Sequence, residues 1–535
     1  MNKTLSNVIL IALIALVLAN CANRGNPDGG PKDVTPPQII KSLPENFTTN
    51  FKGDEIKIYF DEYIKIKDLQ KQLIISPPME TQPEVSPLGG ASKFITIKIK
   101  DTLKPNTTYA FNFGNSITDN NEGNPYPYYR YVFSTGDYID SLSVKGNIID
   151  ALLPQPETFV NVGLYEVDST FNDSIVYNKV PTYITNTLDS VTTFNIENIK
   201  AGKYLLVALK DNNGDNKFQQ KTDQIGYYDH IITVPTDSSY TIKLFSETLD
   251  FRPSRPFLAA QQKIAFGYEG PVEAMDINLI SEVPEAFEHR ITKEENKDTL
   301  NYWYKPKIEV DSLLFVVTHP DVSKDYKVRI RPQDVDSLII KSISPNNISE
   351  PFKVKGNIPF VNLDKSKVTL MDKDSVKVAF TTKLDSLKNE YVFDFKKTED
   401  NSYNIKILPE AFTDFFDNKN ADTLVYSVRT KKSSDFGYVR FNLVNAKLPI
   451  IIQLTTEKGE VKFEHTVTKE GPIDFENLPS GKYNVRVIHD ANGNGIFDTG
   501  SYINKSQPER VSHFKLSDDV RADWGNIETL IFNED

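Results

Sequence analysis

A single cysteine in 535 residues, Cys21, leaves no disulfide framework to staple this chain together. No run of basic side chains occurs, and 61 Lys and Arg against 73 Asp and Glu give a net charge of -12. Phosphate binding needs clustered cations to displace counterions, so the balance argues against a nucleic-acid partner. The histidines, His230, His289, His319, His465, His489 and His513, are dispersed with no pair at helical or strand spacing. Without a cysteine set or an H-E-x-x-H pattern, they argue against zinc. The G-x-S-x-G elbow and the phosphate-cradling G-x-x-x-x-G-K-[ST] loop are both missing. Carboxylate pairs abound, as in any acidic chain. They leave a glycosidase-like dyad open but read first as a solvated acidic surface, and the chain reads as a non-enzyme.

What is present begins with the location of that cysteine. Cys21 directly follows the apolar run "VILIALIALVLAN", with Lys3 before it. The run has secretory length and lacks the stop-transfer flanks of a transmembrane helix, so 1–20 reads as a signal peptide. "LAN" before Cys21 resembles a bacterial lipobox, with Asn20 where Gly, Ala or Ser is usual. That resemblance implies acylation of Cys21, and several acyl chains anchor stably where one is marginal. Residues 21–36, "CANRGNPDGGPKDVTP", are too rich in Gly, Pro, Asn and Asp to bury a core and read as a tether reaching about 50 Å when extended. Ala22 is similar to the outer-membrane sorting position of diderm lipoproteins. Positions 22–25 lack the acidic cluster of many surface-directed Bacteroidota lipoproteins, so both membrane faces stay open.

Hydrophobic residues at 39%, with 32 Phe and 25 Tyr, supply core for several domains of about 100 residues each. Short alternating runs such as "DEIKIYF", "FITIKIK" and "YNVRVI", separated by Gly, Pro, Asn and Asp, are the pattern of β-sandwiches. Only "KIKDLQKQL" and "LPEAFTDFF" suggest a helical turn or two. The fold class is therefore all-β, a tandem of sandwich domains behind a lipoprotein signal peptide, expected to be rod-like or gently curved.

Within 37–136, "GDEIKIYFDEYI", "LKPNTTYAFNFGNSITDNNEGNP" and "YVFSTG" resemble the bacterial Ig-like domain of S-layer proteins and many Bacteroidota lipoproteins. The ending "KILPEAFTDFFDNKNADTLVYSVRTK" parallels it and suggests a second Ig-like domain over 338–432. A stronger repeat aligns "FNIENIKAGKYLLVALKDNNGDNKF", 194–218, without a gap on "IDFENLPSGKYNVRVIHDANGNGIF", 473–497. Gly202 and Gly481, Asp211 and Asp490, and Phe218 and Phe497 all stand 279 residues apart, which indicates duplicated domains at 138–250 and 433–535. Both resemble the carboxypeptidase-regulatory-like or transthyretin-like sandwich, an accessory fold without a peptidase site. Residues 251–335 remain as a further β-rich domain of unknown type.

Three patterns carry candidate chemistry. Counting as in an EF-hand loop, Asp490, Asn492, Asn494, the Ile496 carbonyl and Asp498 offer calcium ligands around Gly495, but Ser501 replaces the bidentate Glu. The earlier loop offers Asp211, Asn213, Asp215 and the Lys217 carbonyl, with Asn216 at the glycine position. The alternative for both is a turn closed by side-chain to backbone bonds. No cofactor is otherwise implied. Tyr126, Tyr128, Tyr129 and Tyr131, and Tyr302, Trp303 and Tyr304, would stack on sugars or a protein partner if exposed, or serve as packed strand formers. Eleven Asp-Ser/Thr triplets place hydroxyls at Thr102, Ser141, Ser169, Ser174, Ser190, Thr299, Ser312, Ser337, Ser375, Ser386 and Thr423. They suit turns opening strands, and they resemble the O-glycosylation acceptor of exported Bacteroidota proteins.

Together these readings imply an outer-membrane lipoprotein that works by binding, as a structural or interaction subunit accessory to a β-barrel assembly or secretion complex. The rival is a glycan- or cell-wall-binding lipoprotein, which needs exposed coplanar rings at Tyr128, Tyr129 or Trp303.

Overall fold

A computed structural model describes residues 32–188, 192–320, 322–343 and 350–533. Cys21, most of the tether and Ser190 lie outside these residues. The described chain is β throughout, with strands gathered around five separate hydrophobic cores. The two α-helices among the described residues are single turns, Leu69–Gln72 and Ile175–Asn178. Among the described residues no helix is long and apolar enough to cross a membrane. Of the two segments read as helical, "KIKDLQKQL" supplies the first of these turns, while "LPEAFTDFF" contributes the strand Phe412–Asp414. Pairing of that strand with Phe360–Leu363 overrides its local helical preference.

The five modules follow chain order. In module 1 the alternation of Glu55–Ile66 turns Ile56, Ile58, Phe60 and Ile64 inward. They meet Phe111 and Phe133 of the facing sheet. The sheet order is Ile39–Leu43, Glu55–Ile66, Ser92–Lys98, Glu84–Ser86, opposite Ile74–Ser76, Thr108–Asn112, Arg130–Ser134. Module 4 repeats it strand for strand: Ile340–Ile343, Phe352–Gly356, Glu390–Phe395, Phe380–Asp385, opposite Val368–Met371, Ser402–Ile407, Leu424–Arg429. Each closes one end with a buried aspartate. Asp119 accepts from the N–H groups of Asn121, Glu122, Gly123 and Asn124, and Asp414 from those of Phe416 and Asn418.

Modules 2 and 5 share a different order. One sheet of module 2 runs Thr193–Ile199, Leu142–Asp150, Ser239–Leu244, the last pair parallel. Its counterpart runs Ile473–Leu478, Gly437–Val444, Gly525–Ile531, again ending in a parallel pair. The second sheets match likewise, Tyr183–Asn186, Asn161–Glu166, Gly202–Lys210, Gln224–Tyr227 against Val461–Val467, Ile450–Thr455, Asn484–His489, Val511–Lys515. Left-handed backbone recurs at twin positions, φ 60° at Asn198 and 56° at Asn477, where asparagine tolerates it. Module 3 sets Lys263–Glu269 and Thr299–Lys305 against Ser312–His319.

Side-chain contacts tie each module to the next. Arg130 of module 1 pairs with Glu197 of module 2 and donates to Asn198 Oδ1 at 2.6 Å. Lys221 of module 2 pairs with Glu269 of module 3. Trp303 of module 3 packs with Ile358 and Phe415 of module 4, and Lys293 N–H donates to the Leu387 carbonyl at 2.7 Å. Ser433 at the start of module 5 donates to Glu399 of module 4. The expected rod does not form, because module 5 then packs against module 2. Modules 2 to 5 thereby make a closed ring of contacts, with module 1 joined to it at module 2.

Candidate functional site

The two Asp/Asn loops occupy the same place in modules 2 and 5. Asp490 is 2% exposed, and its Oδ1 accepts from Gly493 and Asn494 N–H while Oδ2 accepts from Gly495 N–H at 2.9 Å. Asn492 and Asn494 accept from Asn494 and Ile496 N–H, and both turn their amide groups toward Asp498 Oδ2. In the twin, Asp211 accepts from Asn213, Gly214 and Asn216, and Asp215 accepts from Lys217 N–H. Gly214 and Gly493 have φ of 76° and 74°, and Asn216 and Gly495 have 57° and 77°. Each loop thus brings its named residues together, but as acceptors for its own backbone donors. Among the described residues no group of three or more His, Cys, Asp or Glu side chains is arranged to hold a metal ion.

A second carboxylate finishes each loop, and here the twins part. In module 2, Asp223 bridges Asn212 and Gln219 N–H at 3.1 and 2.9 Å. In module 5, Glu509 bridges the twin positions Ala491 and Asp498 at 2.8 and 3.0 Å. Glu509 stands seven residues further along than the constant offset of 279 would place it. The added length, ending the stretch "HDANGNGIFDTGSYINKSQPE", is what reaches module 2.

Tyr502 at its tip is fully buried among Tyr165, Phe218, Tyr227 and Phe245 of module 2, 5.4 Å from the Tyr227 ring and edge-on to it. Its N–H donates to Glu247, a residue 9% exposed, and Thr499 Oγ1 donates to the Ser246 carbonyl at 2.5 Å. Gln507 donates to Asp229 at 2.7 Å. Lys505 lies 2.8 Å from Asp173 and 3.8 Å from the centre of the Tyr502 ring, a cation held by a carboxylate over an aromatic face. Gly500 is required because a Cβ there would lie 2.6 Å from Cζ of Phe245. A lesser contact seats Leu153 on Gly459 and lets Arg486 donate to the Leu152 carbonyl at 3.1 Å. Burial raises the Glu247 carboxyl above its ordinary 4.5, opposed by the Tyr502 N–H, and pushes the Tyr227 phenol up to about 12. This clasp is a packed joint between two modules of one chain.

The remaining candidates are scattered. Of the aromatic residues, Tyr129, Tyr131, Tyr302, Trp303 and Tyr304 are buried, Tyr126 is half-buried, and Tyr128 is 50% exposed. Trp303 Nε1 donates to Thr292 Oγ1 at 2.9 Å inside the junction of modules 3 and 4. Among the triplet hydroxyls, Thr102, Ser141, Ser169, Ser174, Ser337, Ser375, Ser386 and Thr423 are exposed, and Thr299 and Ser312 are half-buried.

Residues 33–135 match the bacterial Ig-like domain family. The chain is a tandem of β-sandwiches, of which the first matches the Ig-like family. Residues 430–505 match a family described as an uncharacterized protein conserved in bacteria (DUF2141), a match that spans the loop at Asp490 and reaches the clasp. No curated protein matches. Among solved structures, domains 1–6 of the surface layer protein SbsC are 12% identical over 97% of this chain and 70% of that one, with a TM-score of 0.16. The I9–I11 tandem from titin is 10% identical over 53% of this chain and all of that one, with a TM-score of 0.12. The Bacteroides ovatus glucan-locus protein SGBP-B, solved with a mixed-linkage heptasaccharide, is 11% identical over 61% and 83%, with a TM-score of 0.18. At such scores none of them bears on ligand or partner.

Proposed function

We propose that this is a lipid-anchored outer-membrane protein that works by binding a protein partner, as a non-catalytic subunit accessory to a β-barrel assembly or secretion complex. The observation that carries the reading is the order of parts. An acylation-type cysteine is followed by a tether, then an Ig-like module, then a closed ring of sandwiches that presents broad surfaces at a fixed spacing. Modules 2 and 5 are read as carboxypeptidase-regulatory-like, accessory sandwiches, from the Gly-Lys-Tyr hairpin at Gly202–Tyr204 and Gly481–Tyr483 that both carry. The exposed triplet hydroxyls suit O-linked glycans on the outward surface.

Affinity purification of the tagged chain from native membranes in mild detergent tests the proposal. Recovery with an outer-membrane barrel or another lipoprotein is expected, and recovery alone would sink it. Incorporation of labelled palmitate, lost in Cys21→Ala, tests the anchor. Retention on immobilised polysaccharide without any protein partner would favour the glycan-binding reading, for which Tyr128 is the one exposed ring of its three.

A further inference from the structure

Strand Gly525–Ile531 of module 5 forms one edge of its sheet, paired on a single side with Gly437–Val444. Among the described residues no other main-chain group bonds to its main chain. The crossing segment beside it is tied on by side chains, Ser517 N–H to Glu528 and Asn526 to the Asp518 carbonyl. An edge of this kind is a template for another strand unless it is blunted by charge or proline. On its outer face stand Ile527, Thr529 and Ile531, with Ile527 66% and Ile531 56% exposed. Trp524 and Val444 extend the apolar belt, and the Tyr438 ring lies flat on Gly525, where a Cβ would fall 2.1 Å from Cζ. The charged residue nearest on that face, Arg440, is drawn away from the edge into a two-bond pair with Asp474.

The duplicated module is an internal control. Phe194 and Ile473 are twins that face Gly146 and Phe441, which sets the two sheets in register. In that register Ser239 stands for Ile527, Thr241 for Thr529 and Lys243 for Ile531. Module 2 therefore carries a polar, charged edge where module 5 carries an apolar one.

We propose that strand Gly525–Ile531 pairs antiparallel with the same strand of a second copy, about a two-fold axis through Thr529. The open main-chain groups call for an extended segment. The order Ile527, Thr529, Ile531 is symmetric about its centre, so this register sets each Ile527 against the other copy's Ile531 and Thr529 against Thr529. No charge stands on the outer face of the strand, so two acidic chains meet there without like-charge opposition. The result is one sheet of six strands running through both copies, an isologous contact that closes on itself.

Opposed residues of an antiparallel pair have Cα atoms about 4.5–5.5 Å apart, within the span of a disulfide. The full chain carrying Thr529→Cys is expected to give a covalent dimer under mild oxidation. The twin substitution Thr241→Cys, and the unaltered chain with Cys21 as its only cysteine, set the baseline. Adding Ile527→Lys, or separately Ile531→Lys, to Thr529→Cys is expected to cut dimer yield at least about tenfold, since both apolar cross-strand pairs are lost and a cation is set against isoleucine in each. A Thr529→Cys chain that melts like the unaltered protein yet gives no more dimer than Thr241→Cys would overturn the proposal. So would cross-linking of Thr529→Cys to a different protein in place of itself.

Discussion

Up to Phe218 and Phe497, modules 2 and 5 are alike in strand order, in left-handed positions and in the aspartate that folds each loop. Beyond that point module 2 needs three residues to pass from Gln219 to Asp223, whereas module 5 uses ten from Asp498 to Glu509. The shorter copy keeps an aromatic recess, and the longer copy supplies the tyrosine that fills it. Two copies of one shape are thus made complementary by seven residues that one carries and the other lacks. The shared element is the carboxylate bridging two loop N–H groups, which accommodates the added length without disturbing the hairpin beneath it.

Four measurements would break or sharpen this comparison. Removing the plug should do most: Tyr502→Ala, which deletes a buried aromatic, is expected to cost about 3–5 kcal/mol of the contact. It should release module 5 from module 2, seen as a larger radius of gyration in small-angle scattering. An unchanged radius would mean that the remaining contacts, those of Thr499, Lys505, Gln507, Leu153 and Arg486, hold the joint without it. Next, Asp490→Ala deletes a buried carboxylate that three loop N–H groups donate to, and should lower stability by about 1–3 kcal/mol in chemical denaturation. Asp211→Ala, at a half-exposed site that water can serve, should cost less than about 1 kcal/mol. Equal losses would erase the distinction between the twins.

A smaller effect should follow pH. The folded state raises the Glu247 carboxyl above 4.5, so it holds that proton more tightly than the unfolded chain does. The clasp should therefore be firmest below pH 4.5 and weaken as pH rises through the raised value. Glu247→Gln keeps an acceptor for Tyr502 N–H and removes the charge, so its advantage over the unaltered chain should grow across that window. A constant difference between the two melting curves would count against it. Smallest of all is the response to calcium. Both loops are closed by their own amides, so calcium and chelator should leave the melting temperature where it is. A calcium-dependent rise abolished by Asp490→Ala would make Asp490, Asn492, Asn494, Ile496 and Asp498 ion ligands.

Much of the architecture was legible in local pattern. The alternation in Glu55–Ile66 and the constant offset between Asp211 and Asp490 depend on neighbours in sequence, and both led to the sandwich and its duplication. Trp303 was ambiguous because alternation tells which side of a strand faces out, not whether another module covers that side; here Phe415 and Ile358 do. "LPEAFTDFF" misled because its strand exists only through pairing with Phe360–Leu363. Tyr502 gave no signal of its own in a polar loop. The detectable trace was the break in the offset after Phe497, a gap whose meaning depends on a surface more than 250 residues away, as in the Tyr502 to Glu247 bond.

The clasp also orders events in time. Module 2 leaves the ribosome well before the residue that completes it, because Glu247 and Tyr502 are separated by 255 positions. In that interval the recess around Tyr227 and Phe245 faces water, an apolar patch of the kind that chaperones hold and proteases sample. Its disappearance coincides with arrival of the last module. A chain cut short anywhere before Tyr502 lacks the residue that closes the recess.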